Sequence, residues 1–329
     1  MKTIEFTIPG PYENLELVER PIPEPAENQI LIKIILAAVN AVDNTVRQRN
    51  IDSRRSPAIL GNEAAGIVIK GNEKFPDGTR VMLSCFTPTG QIRGIYVDGS
   101  WSEYLAVYPS ELIAISTRIS DEEAAAFPVS FFSAQACLNK ADFTPGKSVL
   151  SLAVGGGVGN ATIQLAKIRG ASQVITTTSS TEKALLANSK GFENVIDLSK
   201  ESISEGVARL TEGKGVDIVV DSVGGHLTGE AIHSLSRNGI LVTIGYSAGT
   251  SFSANITDFV WKGLQMRGQS LNGWFSENEQ GKIWDELLPL FESGKLRPLI
   301  AKVFKAEDIV EAQRFLIEER PFGKVLIKF

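Results

Sequence analysis

The stretch SLAVGGGVGNATIQLAKIRG, residues 151–170, places four glycines within five positions, between an apolar run and a helix-like run. Glycines in such a turn let backbone N–H groups approach a pyrophosphate, and the N-terminus of the following helix attracts negative charge. The dinucleotide pattern G-x-G-x-x-G fits at Gly156 and Gly159, whereas Val154 occupies the first place. The pattern of nucleotide triphosphatases is absent, because Asn160 and Ala161 follow Gly159. The stretch therefore predicts a dinucleotide-binding loop.

Strand-like and helix-like segments alternate on both sides of this loop. The strand-like segments are SVLSLAV, QVITTT, NVIDL, DIVVDSV and ILVTIGY, and QMRGQSL is expected to add one more. The helix-like segments are NATIQLAKIRG, STEKALLANSKG, SISEGVARLTEG and LTGEAIHSLSRNG. Repeated units of this kind predict an α/β domain with a doubly wound parallel sheet covered on both faces. An earlier helical region, SDEEAAAFPVSFFSAQACLNKA, opens with a capping box from Ser120 to Glu123.

Both ends of the chain have a different texture. Residues 1–115 contain short alternating strands with Pro and Gly turns, which is typical of a β-barrel, and a short helix is expected over residues 44–50. The tail returns to strands, LIAKVF and GKVLIKF, around the helix-like AEDIVEAQRFLIE. We therefore expect a discontinuous barrel domain from residues 1–118 and 284–329, with a nucleotide-binding domain over residues 119–283 inserted.

Composition narrows the class of protein. The chain has 329 residues, 43% of them hydrophobic, and a formal net charge of −5, which gives no reason to expect nucleic acid as a partner. The two cysteines, Cys85 and Cys137, cannot form a disulfide framework. No run of about 18 apolar residues and no signal-peptide pattern is present, so we expect a cytoplasmic protein without a membrane segment.

The residues after the second strand of the α/β domain indicate the cofactor. NAD-binding domains place an acid about 20 residues beyond the glycines, where it binds the ribose 2′-OH. Here Thr178 lies nineteen residues after Gly159, and the hydroxyls of Ser179 and Ser180 and the cation of Lys183 follow. These groups suit a 2′-phosphate and predict NADPH. The alternative is that both serines cap the next helix and that Lys183 is solvated.

The chain resembles the medium-chain dehydrogenase/reductase superfamily, in particular its zinc-free quinone oxidoreductase (zeta-crystallin-like) branch. The resemblance rests on AVNAVDNTVR (38–47), LGNEAAGIV (60–68), DGTRV, GSWSEYLAV, AVGGGVG (153–159), GVDIVVDSVGG (215–225) and GKVLIKF (323–329), in this order. It implies a GroES-like catalytic domain plus a Rossmann domain, with the active site in the cleft between them, and a homodimer formed through the Rossmann sheet edge at QMRGQSL.

The resemblance also implies site residues. By the resemblance, Asn40 lies beside the nicotinamide and the substrate, and Asp43 helps to order that wall of the site. The proton donor stays open between Tyr96, Asp43 and water. Asn40 and Asp43 have the alternative of forming a turn or a helix cap, and Tyr246 that of packing at a strand end. The residues expected at the cofactor are Asn40, Ser133, Ala153, Gly156, Gly157, Val158, Thr178, Ser179, Ser180, Lys183, Val223, Gly245, Tyr246 and Asn272.

No metal is expected, because Asn40 and Asn62 stand where zinc-dependent relatives carry a Cys and a His, and the two histidines, His226 and His233, lie in the Rossmann half. A hydride acceptor that is already activated, namely a quinone or an α,β-unsaturated carbonyl compound, is therefore the expected substrate. Thr45 departs from quinone-reducing relatives, several of which carry a Tyr at that position, so the quinone and the enone both stay open.

Two loops are expected to shape the substrate pocket. The first, residues 85–101, carries Arg93, Tyr96 and Trp101, and the second, residues 270–278, carries Asn272, Trp274 and Phe275. Their aromatic rings have two possible roles, stacking on a planar acceptor or forming dimer contacts.

Two alternative functions are retained. An enoyl thioester reductase would use a basic mouth for coenzyme A phosphates, for which the candidates are Arg47, Arg49, Arg54 and Arg55, unless they form an ordinary solvated face. The other alternative is an NADPH-binding regulatory or structural protein with little turnover.

Overall fold

The computed structural model describes residues 1–48, 58–271 and 275–329. The chain divides into two compact units, a discontinuous unit of residues 1–129 and 271–329 and an inserted unit of residues 130–270. No helix in the described part of the chain is long and apolar enough to cross a membrane.

The strands are β1 (Lys2–Phe6), β2 (Glu16–Glu19), β3 (Ile30–Val39), β4 (Ala58–Ile59), β5 (Ala64–Lys70), β6 (Arg80–Leu83), β7 (Tyr104–Val107), β8 (Leu112–Ala114), β9 (Ser148–Ser151), β10 (Gln173–Thr178), β11 (Val195–Asp197), β12 (Val216–Asp221), β13 (Leu235–Thr243), β14 (Gln265–Gly268), β15 (Ile300–Lys305) and β16 (Lys324–Lys328). The helices are α1 (Ala41–Arg47), α2 (Asp121–Ala126), α3 (Pro128–Lys140), α4 (Gly157–Ile168), α5 (Thr181–Ser189), α6 (Ile203–Thr211), α7 (His226–His233), α8 (Ile256–Lys262), α9 (Glu277–Glu292) and α10 (Ile309–Arg314).

The inserted unit contains a six-stranded sheet in the order β11-β10-β9-β12-β13-β14, and every neighbouring pair is parallel. Its strands are apolar because helices cover both faces of such a sheet. Residues such as Leu150, Ile175, Val219 and Leu241 are fully buried in its core. The predicted doubly wound parallel sheet is confirmed, and QMRGQSL supplies its edge strand β14.

The discontinuous unit is built around a seven-stranded sheet in the order β15-β16-β3-β5-β6-β8, with β7 also paired to β3. A three-stranded sheet, β2-β1-β4, completes the β structure of this unit. The strands from the tail, β15 and β16, join this sheet, and β16 pairs with β3.

The unit boundaries differ from the predicted 118/119 and 283/284. Helix α2 packs on β3 and β5 of the discontinuous unit, so the boundary falls after it. The whole of α9 also belongs to this unit, where Phe291 stacks on Phe127 with the ring centroids 3.8 Å apart. The Oγ of Ser116 donates a hydrogen bond to the Glu292 carboxylate at 2.5 Å.

Two helical predictions need adjustment. The region after Ser120 forms two helices, because Pro128 begins α3 and a proline cannot continue the preceding helix. The capping box of Ser120 and Glu123 is present, with both hydrogen bonds at 3.1 Å. The helix expected over LTGEAIHSLSRNG ends at His233, because β13 begins at Leu235, a residue that packs in the core.

Candidate functional site

The glycine-rich loop of the inserted unit follows β9 and is hydrogen-bonded to the ends of β10 and β12, the two strands that flank β9. The backbone N–H groups of Ala153 and Val154 donate to the Oγ1 and the carbonyl oxygen of Thr177, at 3.0 and 3.1 Å. The Leu152 N–H donates to the carbonyl of Val220 at 3.1 Å on the other side. The loop therefore lies at the carboxyl edge of the parallel sheet, which is where doubly wound folds bind their ligands.

Gly159 allows α4 to begin directly above this loop. A Cβ atom at Gly159 would lie 2.2 Å from the carbonyl oxygen of Ala153 and 2.4 Å from that of Leu152. Only a glycine lets the first turn of the helix approach the strand so closely. The predicted residues Gly156 and Gly157 form the N-cap and the first residue of α4, where backbone N–H groups lack an intrahelical acceptor. Val158 follows in the same turn.

The residues expected at the cofactor ribose follow β10. The Thr178 hydroxyl donates to the carbonyl of Ser180 at 3.0 Å, and the Ser180 hydroxyl accepts from the Lys183 N–H at 3.3 Å. Ser180 thus caps α5, as the alternative interpretation expected, but a hydroxyl that accepts one hydrogen bond retains a proton to donate. Ser179 is exposed, and Lys183 is half-buried in the first turn of α5.

A buried carboxylate shapes the turn after β12. Asp221 is fully buried and accepts hydrogen bonds from the N–H groups of Val223 and Gly224, at 2.9 and 2.8 Å, and from the Thr228 hydroxyl at 2.6 Å. Sequence reasoning missed Asp221, although an acid at the end of the apolar run DIVVD was a visible signal. The carboxylate fixes the backbone at Val223, a predicted cofactor residue.

The other predicted residues of the inserted unit lie on different elements. Gly245 follows β13 and packs so tightly that a Cβ would lie 1.9 Å from the Ser222 carbonyl oxygen. Its neighbour Tyr246 is 46% exposed, so its ring is not packed in the core. Ser133 lies in α3 and is buried.

Asn40 lies in the discontinuous unit, within a buried polar cluster at the ends of three adjacent strands. Asn40 follows β3, Glu63 precedes β5, and Lys324 begins β16, and the order of these strands in the sheet is β16-β3-β5. The Lys324 ammonium donates hydrogen bonds to Glu63 Oε1, at 2.5 Å, and to Asn40 Oδ1. Asn40 Nδ2 donates to the same Glu63 oxygen at 3.0 Å.

Asp43 orders the backbone beside Asn40. Its two oxygens accept hydrogen bonds from the N–H groups of Asn40, at 2.6 Å, and Gly61, at 3.1 Å. Burial raises the pKa of Asp43 to about 7, although both N–H groups and the Lys324 cation act in the opposite direction. Gly61 has φ +93°, and a Cβ there would lie 2.4 Å from the Trp101 ring. Thr45 lies further along α1 and donates to the Ala41 carbonyl at 3.3 Å.

The loop over residues 85–101 contains more structural side chains than the sequence suggested. Arg93 is buried and pairs with the buried Glu111 through both Nε and Nη2. Trp101 is fully buried, and its indole N–H donates to the Ala38 carbonyl at 3.0 Å. Both were expected at the substrate pocket, and both instead hold the barrel together. Tyr96 is half-buried in the same loop.

The second loop is only partly described. Asn272 and Trp274 lie outside the described residues. Phe275 packs edge-on against Phe86 of the first loop, with the ring centroids 6.1 Å apart. This contact joins the two loops within the discontinuous unit.

The proposed basic mouth is not formed by Arg47. This residue is buried, and its guanidinium donates to Gln313 Oε1 at 2.6 Å and to Asn44 Oδ1 at 2.5 Å. It therefore has a structural role. Arg49, Arg54 and Arg55 lie outside the described residues.

The side chains of Asn40 and Asn62, at the positions where zinc-dependent relatives carry ligands, do not fit a zinc ion. The Asn40 oxygen accepts from the Lys324 ammonium, and the Asn62 amide donates to the carbonyl of Arg93. Burial raises the pKa of the Cys85 and Cys137 thiols, which opposes the thiolate form that zinc requires. In the residues that the structure describes, no group of three or more His, Cys, Asp or Glu side chains could hold a metal.

Family models match both parts of the chain. The alcohol dehydrogenase GroES-like domain matches residues 26–117, and the zinc-binding dehydrogenase model matches residues 157–292. A quinone oxidoreductase of Salmonella typhimurium is 32% identical, with 96% of this chain and 92% of that protein covered. A 2-methylene-furan-3-one reductase of Solanum lycopersicum is also 32% identical, covering 99% and 79%. The chain belongs to the medium-chain dehydrogenase/reductase superfamily, and it is an oxidoreductase with a GroES-like domain and a Rossmann-like domain.

Other relatives differ in the cofactor that they name. An NAD-dependent alcohol dehydrogenase of Sulfolobus acidocaldarius is 28% identical, covering 96% of each chain. The crystal structure of an NAD-dependent alcohol dehydrogenase superposes with a TM-score of 0.90, at 28% identity and full coverage of both chains. The Escherichia coli quinone oxidoreductase complexed with NADPH superposes with a TM-score of 0.88, at 29% identity and full coverage of both chains. The comparisons thus support a nicotinamide cofactor.

Sequence reasoning missed the residues that hold Asn40. Glu63 and Lys324 stand in two of the segments that carry the family resemblance, LGNEAAGIV and GKVLIKF. The signal was a charged residue at the start of an apolar strand in each case. Their pairing depends on the register of β16 and β5 against β3, which a single sequence does not reveal.

Proposed function

We propose that the protein is an NADPH-dependent reductase that transfers hydride to a quinone or an α,β-unsaturated carbonyl compound without a metal ion. The observation that carries the choice of cofactor is the end of β10. No carboxylate stands at Thr178, Ser179 or Ser180, where an acid would bind the ribose 2′-OH of NAD. Lys183 follows in the first turn of α5, where the partial positive charge of the helix N-terminus also favours an anion.

The residues of the inserted unit fit a dinucleotide. The turn from Ala153 to Val158 would hold the pyrophosphate through the backbone N–H groups of Gly157 and Val158 at the start of α4. The N–H groups of Ala153 and Gly156 bind Thr177 Oγ1 and the Ala153 carbonyl and fix the shape of the turn. Ser179, Ser180 and Lys183 would hold the 2′-phosphate, and the backbone at Val223 and Gly245 would lie along the nicotinamide ribose. Thr178, Ser133 and Tyr246 remain cofactor candidates on the same unit. The cofactor supplies the hydride, and the chain supplies orientation and electrostatics.

The acceptor is proposed from the chemistry of the discontinuous unit. Asn40 and Asn62 offer amide groups and not zinc ligands, so the proposed reaction does not use a metal ion there to polarise an unactivated alcohol or ketone. A quinone or an enone accepts hydride without such help. Asn40 is proposed as the substrate-facing amide, Asp43 as the residue that orders its backbone, and Tyr96 as the candidate proton donor.

Transient kinetics test this proposal. Protein loaded with NADPH is mixed with 1,2-naphthoquinone, with small enones and with crotonyl coenzyme A, and NADPH absorbance is followed. We expect rapid oxidation with a quinone or an enone. Oxidation with none of the three would favour a binding protein with little turnover, and oxidation with crotonyl coenzyme A alone would favour an enoyl thioester reductase.

A charge reversal tests the choice of cofactor. Lys183→Glu is expected to weaken NADPH binding by about 10- to 100-fold, because a charged hydrogen bond contributes about 1.5–3 kcal/mol. Binding of NADH should change little. Lys190→Glu, at the exposed C-terminal end of the same helix, is the matched control. Equal effects of the two substitutions on NADPH binding would contradict a 2′-phosphate contact at Lys183.

We also propose that two copies of the chain associate through the edge of the six-stranded sheet. β14 is the terminal strand of that sheet in the described part of the chain. The preceding helix α8 exposes Ile256, Val260 and Trp261, each with 70–74% of its surface accessible. Three large apolar side chains on one short helix are typical of an interface.

Sedimentation velocity tests this association. Val260→Asp is expected to convert a dimer into a monomer, because it places a charge within the apolar patch. Leu185→Asp changes a similarly exposed apolar residue on α5 and is the control. A monomeric wild-type protein, or a dimer that persists in Val260→Asp, would refute the proposed interface. Loss of the dimer in Leu185→Asp as well would show that the effect is not specific to α8.

A further inference from the structure

The cluster of Asn40, Glu63 and Lys324 joins three strands through one buried ion pair. The side chains of Glu63 and Lys324 are 0% and 7% exposed, and the two residues are separated by 261 positions in the chain. Glu63 uses both oxygens: Oε1 accepts from Lys324 and from Asn40, and Oε2 accepts from the Val129 N–H at 2.7 Å. The carboxylate is therefore fixed from two sides.

The ion pair determines the orientation of the Asn40 amide. The oxygen and the NH₂ group of an asparagine are nearly equal in size, so packing alone does not select one orientation over its flip. Here the amide oxygen faces the Lys324 ammonium, and the amide nitrogen faces the Glu63 carboxylate. A flip would place the amide N–H groups against the ammonium and the amide oxygen against the carboxylate. Both contacts would be repulsive, so the buried charges select one orientation.

Asn40 keeps hydrogen-bonding capacity beyond this cluster. The NH₂ group has two protons, of which Glu63 takes one. Asn40 is only half-buried, in contrast to its two partners. A bound molecule would thus meet one N–H whose direction is already determined.

We infer that Glu63 and Lys324 are positioning residues that orient the Asn40 amide for catalysis. The inference rests on the proposed function in one respect, the contact of Asn40 with the reacting groups. Neither charge needs to touch the substrate or the cofactor. Their effect on turnover passes through Asn40 and disappears when the amide is removed.

A double-mutant cycle tests this dependence. Lys324→Met alone would leave Glu63 buried without its cation and would endanger folding, so the main variant is the neutral pair Glu63→Gln with Lys324→Met. We expect it to lower kcat by about 10- to 100-fold, since small misplacements of a positioned group have effects of this size. In an Asn40→Ala background the same pair of substitutions should change kcat by less than about twofold. The amide that the ion pair orients is then already absent, so the pair has no further effect on it.

The matched control is a second buried ion pair of the same unit. Glu111→Gln with Arg93→Met also neutralises a pair in which both side chains are at most 7% exposed. If this control lowers kcat only through a general structural effect, it should do so by the same factor in the wild type and in Asn40→Ala. If the pair at Glu63 and Lys324 also gives equal factors in both backgrounds, the positioning role is overturned.

A second measurement does not need turnover. In protein labelled with ¹⁵N-asparagine, the Asn40 side-chain amide is identified by its loss in Asn40→Ala. In the wild type we expect its two protons to have well-separated chemical shifts and to exchange slowly with water. In the Glu63→Gln, Lys324→Met variant both properties should be lost. The Arg93 and Glu111 control should retain them. An unchanged Asn40 signal would refute the inference, whereas absence of NADPH oxidation by the wild type would refute only the proposed function.

Discussion

Gly159→Ala is expected to separate cofactor binding from the rest of the fold. The added Cβ would lie 2.2 Å from the Ala153 carbonyl oxygen, more than 1 Å inside the 3.4 Å at which ordinary contact begins. Neither side of this contact yields easily. The opposing atoms are backbone oxygens, and the Leu152 and Val154 N–H groups are bonded to neighbouring strands at 3.1 Å each. Helix α4 must therefore move away from the loop by about 1 Å, and overpacking of this kind costs about 1–3 kcal/mol of stability.

The same displacement weakens the predicted pyrophosphate contacts. Loss of one hydrogen bond to a charged group costs about 1.5–3 kcal/mol, so the Kd for NADPH should rise by about 10- to 100-fold. Gly281→Ala is the control, because its added Cβ, in α9 of the discontinuous unit, meets open space. Fluorescence titration with NADPH and urea unfolding measure the two effects.

The expected contact between α4 and the loop is refuted if Gly159→Ala binds NADPH within about twofold of the wild type, which is the scatter expected for independent sites. It is also refuted if Gly281→Ala weakens binding as much as Gly159→Ala does, because an added methyl group outside the turn would then have the same effect.

Three further substitutions test other parts of the structure. Gly281→Ala, in α9, adds a Cβ in open space and should raise the free energy of unfolding by about 0.5–1 kcal/mol in urea titrations. A lower free energy of unfolding would show that the added methyl group meets other atoms. Asp43 has a pKa of 3.8 in the unfolded chain and about 7 in the native state, so between pH 4 and 7 only the native state keeps this proton. Raising the pH through this window should therefore destabilise the wild type relative to Asp43→Asn, and a relative gain in urea titrations would show the opposite shift. Glu111→Gln leaves Arg93 buried without its anion and should cost about 3–5 kcal/mol, whereas adding Arg93→Met should recover part of that loss; no recovery in thermal unfolding would refute the pairing argument.

Much of the fold follows from local patterns. The apolar strands of the inserted unit, the capping box at Ser120 and the glycine turn all act within a few residues, so a single sequence shows them. The predicted end of α7 was wrong because Leu235 packs in the core of the inserted unit as part of β13, which is a tertiary effect. Trp101 was assigned to the pocket because an aromatic residue in a loop has the same local pattern whether it is exposed or buried.

The candidate site was predictable where its residues are consecutive. The loop from Ala153 to Val158 needed only its own pattern and its flanking elements. The environment of Asn40 was not predictable, because its partner Lys324 comes from a distant segment and reaches it only through the register of β16 against β3. Whether Ser180 caps a helix, binds a phosphate or does both depends on the geometry of one turn, which residue types alone do not determine.

The position of β16 between β15 and β3 has a consequence for synthesis. Asn40 and Lys324 are separated by 284 residues, so a ribosome working at about 5–20 residues per second needs on the order of 15–60 s to supply the cation after the amide. During that interval the second half of β3 lacks its partner on one edge, because β7 pairs only with residues 30–33 and β16 with residues 36–39. The complete inserted unit is synthesised before β16. The nascent barrel therefore has an open sheet edge until β16 is synthesised. Protection of that edge by chaperones during translation would matter more for this unit than for the inserted unit.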